Sequence, residues 1–358
     1  MAQPRHLVVA AGGTGGHMVP ADVLASVMRG RGWTVALLSD TRGLAYPGLF
    51  EGVERHVIPA ASLGGSNPLQ WARGLRANWA GRRAARAIYR GRRPAAVVGF
   101  GGYPALPALL AAFAERIPTA IHDSNAVLGR VNRLLAGRVQ LIATAFPDVQ
   151  RLDTKYTDKV ALVGNPVRAE IVALRDQPYP GGDTLNILVV GGSQGATILS
   201  TVVPQAVAGL GAKVSVMQQC RPEDMDAARK LYTTAGVDAR LATFIADMAG
   251  ELAKAHIVIS RSGASTVSEL AVAGRPSILV PLPTAMDNHQ VYNVRELVAA
   301  GGAVVIEQSR FTAEVVAVQL SVWSADRGAL AQAAAAARST GRPDAATKLA
   351  DLVEELAA

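Results

Sequence analysis

The residues best suited to chemistry in this chain stand where apolar runs give way to small and polar ones. The longest such stretch is 260–293. An apolar run at 256–260 leads into Arg261-Ser262-Gly263-Ala264, and the pattern predicts a helix over 265–273 with Glu269 inside it. A turn of small residues admits a ligand to the backbone, and the N–H groups that open a helix attract an anionic phosphate. Glu269 falls a turn or so in, where a carboxylate can accept from a ribose hydroxyl. Gly274-Arg275-Pro276 then turns the chain into a buried strand at 277–282, and Asp287-Asn288-His289-Gln290 opens another helix. An ordinary capped helix after a strand is the plainer reading; it does not account for glycine turn, acidic residue and polar loop together.

Two glycine loops repeat the arrangement. GGTGGH at 12–17 follows an apolar run and precedes a helix, the context a phosphate-facing turn needs. Its paired glycines depart from the dinucleotide-type G-x-G-x-x-G spacing, and Asp40 does not complete that fingerprint, so a nicotinamide cofactor is not expected. His17 ends the loop where the helix begins. A helix N-terminus disfavours imidazolium and keeps the ring neutral, which suits a general base; binding substrate or holding backbone are the alternatives. GGSQGA at 191–196 is the counterpart in the second half, with Ser193 and Gln194 as side-chain donors. Gly101-Gly102-Tyr103 and His122-Asp123-Ser124-Asn125 also fall at strand ends, the edge that lines the ligand crevice of a parallel sheet. His122 and Asp123 are either an acid/base pair or residues that shape an acceptor site. Asn165 and Arg168 lie at a boundary from which a guanidinium fork can hold a pyrophosphate.

The elements that position these residues alternate strand with helix, which argues for parallel sheets covered by helices. Strands are expected at 6–11, 34–39, 55–60, 95–100, 119–122, 141–146 and 159–164, then at 186–190, 213–219, 242–245, 256–260, 277–282 and 303–308. The chain's 358 residues suit two domains. The division falls at Gly164-Asn165-Pro166: a first domain over 1–164, a second over 165–341, and a last helix within 342–358 that packs back on the first. No long uncharged apolar run and no signal-peptide pattern are seen, so a cytosolic chain is expected. The single cysteine, Cys220, excludes an internal disulfide and a multi-cysteine metal site.

The net charge of +8 is unevenly spread. Arg73, Arg76, Arg82, Arg83, Arg86, Arg90, Arg92 and Arg93 crowd one stretch, with Trp71, Leu75 and Trp79 among them at helical spacing. Cations around aromatics suit an anionic membrane surface; a solvated helix with its Trp and Leu in the core is the alternative. Nucleic acid is not expected, because no nucleic-acid-binding signature accompanies the charge.

Taken together, GGTGGH at 12–17, GGYPALP at 101–107, GNPVR at 164–168, GGSQGA at 191–196, RSGASTVSEL at 261–270 and HQVYN at 289–293 resemble the MurG family of peptidoglycan glycosyltransferases, over essentially the whole chain. The resemblance implies an α/β GT-B fold, two Rossmann-like parallel-sheet domains facing a cleft. It implies inverting transfer of GlcNAc from UDP-GlcNAc to the MurNAc 4-hydroxyl of lipid I, giving lipid II, with no cofactor or metal. By motif, Thr14, Gly15 and Gly16 would meet the donor pyrophosphate or sugar, with Asn125 near the sugar. Arg168 and Ser193 would hold phosphate or nucleotide, and Ile245 would line the uracil pocket. Ala264, Ser265, Thr266, Val267, Ser268 and Glu269 would form the nucleotide loop and helix, and Gln290 would contact the sugar. The family's His-Glu-Gln-Asn is His122-Asp123-Ser124-Asn125 here, so the roles of the two middle residues do not carry over. The membrane patch would comprise Trp71, Leu75, Trp79, Arg82, Arg83, Arg86 and Phe113, on the cytoplasmic face of the inner membrane, with other cell-wall synthesis and division proteins as further partners. A related transferase with another acceptor, a UDP-sugar epimerase and a non-catalytic nucleotide-sugar sensor share much of this pattern.

Overall fold

The computed structural model describes residues 5–44, 48–62, 67–192, 195–210 and 213–358. Two compact units divide the chain: residues up to Arg168 together with Pro343–Ala358, and Ala169–Arg342. Each is built on a parallel sheet. The first sheet has the order β3-β2-β1-β4-β5-β6-β7, from β1 His6–Ala10, β2 Thr34–Ser39, β3 Glu54–Val57, β4 Ala96–Gly99, β5 Thr119–Asp123, β6 Leu141–Thr144 and β7 Val160–Leu162. The second has the order β10-β9-β8-β11-β12-β13, from β8 Leu185–Val190, β9 Val214–Gln219, β10 Asp238–Ala242, β11 Ile257–Ser260, β12 Ser277–Leu279 and β13 Ala303–Val305. In both, the first strand pairs with neighbours on two sides. The loops leaving β1 and β8 therefore open at the carboxyl edge where the strand order reverses, the place that doubly wound sheets use for ligands.

Central strands are buried on both faces, so they read as unbroken apolar runs. β1 and β4 are buried at every position. Edge strands do not read this way, and one expectation fails for that reason. The strand expected at 242–245 lies instead at Asp238–Ala242, paired from Asp238↔Ser215 to Ala242↔Gln219. β9 ends at Gln219, and a strand on the sheet edge alternates polar with apolar residues, here Asp238 and Arg240 with Ala239 and Leu241. The apolar Phe244-Ile245 pair belongs to the loop beyond it.

The last helix, Ala345–Leu356, belongs to the first unit. Leu349, Ala350 and Val353 enter the core that Met18, Leu24 and Met28 of helix Gly15–Gly30 also fill. Arg31 binds Asp351 and Glu354, each at 2.7 Å, and the Trp33 indole N–H donates to Glu354 at 3.0 Å.

Candidate active site

The first glycine loop is shaped by backbone packing against a second one. Gly12 leaves room for the Pro104 ring, which would stand 2.6 Å from an added Cβ. Gly102, at φ +73°, lies against Gly12 so closely that a Cβ there would meet the Gly12 carbonyl oxygen at 2.4 Å. That same oxygen accepts from the Nδ1–H of His17 at 3.2 Å. A carbonyl can only accept, so Nδ1 carries the ring proton and Nε2 is left as the proton acceptor. The ring edge bearing Nε2 lies over Gly101, 3.2 Å from where its Cβ would be. His17 stands in the first turn of helix Gly15–Gly30, which no side chain caps at Thr14. Thr14 is exposed, and Gly15 and Gly16 are half-buried beside it.

The chain from His122 to Asn125 is tied to this loop. The Ser124 hydroxyl donates to the Gly16 carbonyl at 3.2 Å. Asp123 accepts from the backbone N–H of Asn125 at 3.1 Å, from that of Gly129 at 2.7 Å and from the Asn132 amide at 2.9 Å. Burial pushes its carboxyl up, while those three bonds and the field of His17 oppose the shift. His122 donates from Nε2 to the Gly164 carbonyl at 2.9 Å, and its ring lies 5.1 Å from that of Phe100. These contacts go to backbone and to neighbouring loops, not from His122 to Asp123. The residues thus shape a loop, presenting half-buried Asn125, in place of forming an acid/base pair.

Burial lowers the His122 pKa to about 4. Below the ordinary value near 6.5 the unfolded chain takes up a proton that the folded chain refuses. Stability is therefore complete above pH 6.5 and falls as pH drops toward 4, by up to about 3 kcal/mol. His122→Gln should flatten that slope in denaturant titrations across this range; an unchanged slope would assign it elsewhere.

In the second unit, helix Ala264–Ala273 begins after Gly263 without a side-chain cap, so the first N–H groups face outward. Ser265 and Glu269 are half-buried on one face, four residues apart. The turn before the helix is fastened: the Ser262 hydroxyl donates to the Gln290 carbonyl at 2.9 Å, and the Asn293 amide donates to the Ser262 carbonyl at 3.2 Å. Gln290 accepts through its side-chain oxygen from the Leu282 N–H at 2.9 Å, which turns its NH2 end outward as a donor. Val267, whose side chain is buried, and half-buried Ser268 complete the helix face. Ile245 is buried in the loop after β10, and half-buried Arg168 ends the first unit's main segment. Ser193 and Gln194 lie outside the described residues.

Sequence reasoning assigned no role to two supporting arginines, Arg261 in the turn before the helix and Arg221. Arg261 binds the carbonyls of Val280 and Pro281 at 3.2 and 3.4 Å and the Gln308 side chain at 2.7 Å, pinning the exit of β12. Arg221 packs under Gly195, where a Cβ would lie 2.3 Å from its Cγ, and is bonded to Thr197 and Asp224. Arg261 acts on backbone and a side chain far away in sequence. Arg221 supports Gly195 and Thr197 while its charge is met by Asp224 close by, so neither role could be read from spacing.

Two parallel-sheet units, each with a glycine turn and an uncapped helix at the carboxyl edge of its sheet, are the architecture of the GT-B class, and the family is that of glycosyltransferases. The Glycosyltransferase family 28 N-terminal domain matches residues 7–144, and its C-terminal domain matches 186–351. The UDP-N-acetylglucosamine–N-acetylmuramyl-(pentapeptide) pyrophosphoryl-undecaprenol N-acetylglucosamine transferase of Erythrobacter litoralis is 53% identical, over 98% of this chain and 89% of that protein. The crystal structure of Acinetobacter baumannii MurG superposes with a TM-score of 0.78 at 30% identity, covering 98% of this chain and 100% of that one. The chain belongs to this MurG family of glycosyltransferases. The UDP-GlcNAc 2-epimerase of Neisseria meningitidis, with a TM-score of 0.69 at 14% identity over 98% of this chain and 100% of its own, shares the fold alone.

Proposed function

We propose that this chain moves GlcNAc from UDP-GlcNAc to the 4-hydroxyl of MurNAc in lipid I, producing lipid II for peptidoglycan. The observation that carries the reading is the pair of glycine-turn helix starts, one beside a proton-accepting imidazole and the other beside Glu269 and Gln290. The second unit holds the donor: the N–H groups at 264–266 take the diphosphate, Glu269 the ribose and the Gln290 NH2 group a sugar oxygen. Ile245 lines the base, and Thr14, Gly15, Gly16, Asn125 and Arg168 complete the sugar and phosphate contacts. The acceptor hydroxyl attacks the anomeric carbon as the bond to UDP breaks from the opposite face. The hydroxyl proton passes to Nε2 of His17, and the negative charge of the leaving diphosphate is met by N–H groups and Arg168. Inverted product should form from UDP-GlcNAc and a lipid I analogue, with little from UDP-GalNAc. UDP-GlcNAc consumed without lipid II formation, or epimerised, would overturn the assignment.

The same reading places the chain on an anionic membrane surface. Among the described residues no helix is long and apolar enough to cross a membrane. Helix Pro68–Gly91 buries a small-residue face, Gly74, Asn78, Gly81 and Ala85, and packs against helix Ala105–Ala114. Gly81 lets the helix approach Pro59, whose carbonyl oxygen would stand 2.0 Å from a Cβ. Trp71, Leu75 and Trp79 are left outside the core, at 45%, 58% and 58% exposure. Exposed Arg83 lies 4.9 Å over the Trp79 ring, and Arg82 is half-buried next to it. Arg86 contributes less charge than its presence suggests, since it pairs with Glu115 at 2.7 Å. Phe113 is half-buried, with Arg138 4.4 Å over its ring. Replacing Trp71, Leu75 and Trp79 by serine should cut sedimentation with anionic vesicles at least tenfold and leave turnover of a short-chain, detergent-dispersed acceptor within about twofold. Vesicle binding equal to wild type would remove this face from the membrane.

A further inference from the structure

The second unit holds an arrangement of cations that the transfer reaction does not use. It lies around the segment entering β8 and the end of helix Ala264–Ala273 remote from the nucleotide turn. Arg275 is fully buried and donates to the carbonyls of Leu252, Ala273, Gly274 and Ala253. Arg175 donates to the Arg338 carbonyl at 2.9 Å, Arg338 to that of Gln177 at 3.3 Å, and Arg327 to that of Asp183 at 3.4 Å. Tyr179 joins them, its ring 5.9 Å from the Arg275 guanidinium and its hydroxyl donating to the His256 carbonyl at 2.7 Å. All these side-chain contacts go to neutral carbonyls. Among the described residues, none of the four arginines has a carboxylate within ion-pair distance.

The buried atoms left without a partner are of one kind. They are Arg338 Nε and Arg327 Nη1. The neighbouring His256 ring accepts at Nδ1 from the Asn186 N–H, so its Nε2 bears the proton, which the backbone of Gly181 and Pro180 receives. Two buried guanidinium N–H donors thus lack acceptors in a neighbourhood that holds four guanidiniums, and one of the two belongs to Arg338, which lines the cavity described below. Burial pushes the Arg275 pKa down to about 10, with Tyr179 opposing the fall and nearby Arg338 adding to it. A position near a helix C-terminus favours one cation, as for Arg338 in the last turn of helix Arg327–Thr340. It does not explain four together with no acid. Beside them opens a cavity of about 340 Å³, lined by Arg175, Tyr179, Arg338, Ser339 and three alanines of that helix. Its size falls within the range of small-molecule sites.

We infer that this cavity is a binding site for a small oxyanion of the phosphate class, held by Arg175 and Arg338 over an alanine floor. A tetrahedral oxyanion offers several acceptors and no obligatory donor, which matches a wall that supplies N–H groups. Two guanidiniums give it charge-assisted bonds. The site is separate from the proposed donor site and does not depend on it.

Thermal unfolding of the full chain in millimolar inorganic phosphate, against sodium chloride of matched ionic strength, tests this. Saturating UDP is kept present so that phosphate does not act at the nucleotide turn. The midpoint should rise by about 3 °C at ten times the half-saturating concentration. In Arg175→Gln/Arg338→Gln the phosphate response should vanish while the response to UDP persists, which also reports that the variant is folded. Ala335→Glu, which sets a carboxylate on the cavity wall, should raise the midpoint without phosphate and remove the response to it. Running glycerol phosphate in parallel separates the sources: a shift with both names esterified phosphates as ligands, and a shift with inorganic phosphate only names the free ion. A wild-type chain indifferent to both, or variants that respond as wild type does, would overturn the site. Absence of any UDP response would count against the donor reading and leave this one standing.

Discussion

Replacing His17 with alanine should lower kcat by about 10²- to 10⁴-fold, the usual contribution of a positioned general base, with UDP affinity nearly unchanged. The reason lies in the tautomer. Gly12 accepts the Nδ1 proton and orients the ring so that Nε2 is its proton acceptor. With Nδ1 committed to that carbonyl, Nε2 is the ring nitrogen placed to take the hydroxyl proton in the proposed reaction. Stopped-assay kinetics at saturating lipid I analogue, together with a UDP titration, measure both quantities. If His17→Ala lost UDP binding and retained normal turnover at saturation, the base would have to be sought elsewhere. His17→Gln should not rescue, because a carboxamide holds position without accepting a proton effectively.

The second large effect is expected at Gly102, a residue with no functional group. Gly102→Ala should lower kcat by about 10²-fold, as small misplacements of reacting groups do, and leave the UDP titration intact. Two costs combine. The backbone at φ +73° disfavours any side chain, and the new methyl would meet the Gly12 carbonyl oxygen at 2.4 Å. That oxygen is the one that orients His17, so strain placed there moves the ring as well as the loop. Stability should fall by about 1–3 kcal/mol, visible as a lower thermal midpoint. A variant that lost stability but turned over within twofold of wild type would show that the loop's position does not govern the imidazole. Comparing it with Gly13→Ala controls for backbone conformation: Gly13 is also at positive φ, +88°, but a Cβ there meets nothing within 4 Å.

The residue chemistry was readable from sequence for a physical reason. Turns at the carboxyl edge of a sheet, where backbone or a ligand must come close, need glycine, which leaves a visible mark at 12–16, 101–102 and 191–195 beside apolar runs. Strands buried on both faces cannot avoid being apolar, so the central strands of both sheets were plain and the edge strand at Asp238–Ala242 was not. The same limit applies to the stretch from Trp71 to Trp79. Spacing put these side chains on one helix, but either face could have been the buried one. Only the packing of Gly74, Asn78 and Gly81 against the next layer decided that the tryptophans stay outside.

Sequence by itself determined the class of this protein: the order of its motifs, two parallel α/β units and a small-residue turn ahead of Glu269. It identified His17 as a candidate base with a neutral ring but left open which nitrogen carries the proton. Tertiary structure decided that, because the acceptor for Nδ1 is a carbonyl held in place by a glycine ninety positions further along the chain. It also decided what Asp123 and Ser124 do, where motif comparison offered no answer. Their partners are the N–H groups of Asn125 and Gly129, the Asn132 amide and the carbonyl of Gly16. A side chain's type limits which bonds it can make. Which of those bonds exist depends on backbone brought near by folding, and a single sequence does not record that proximity.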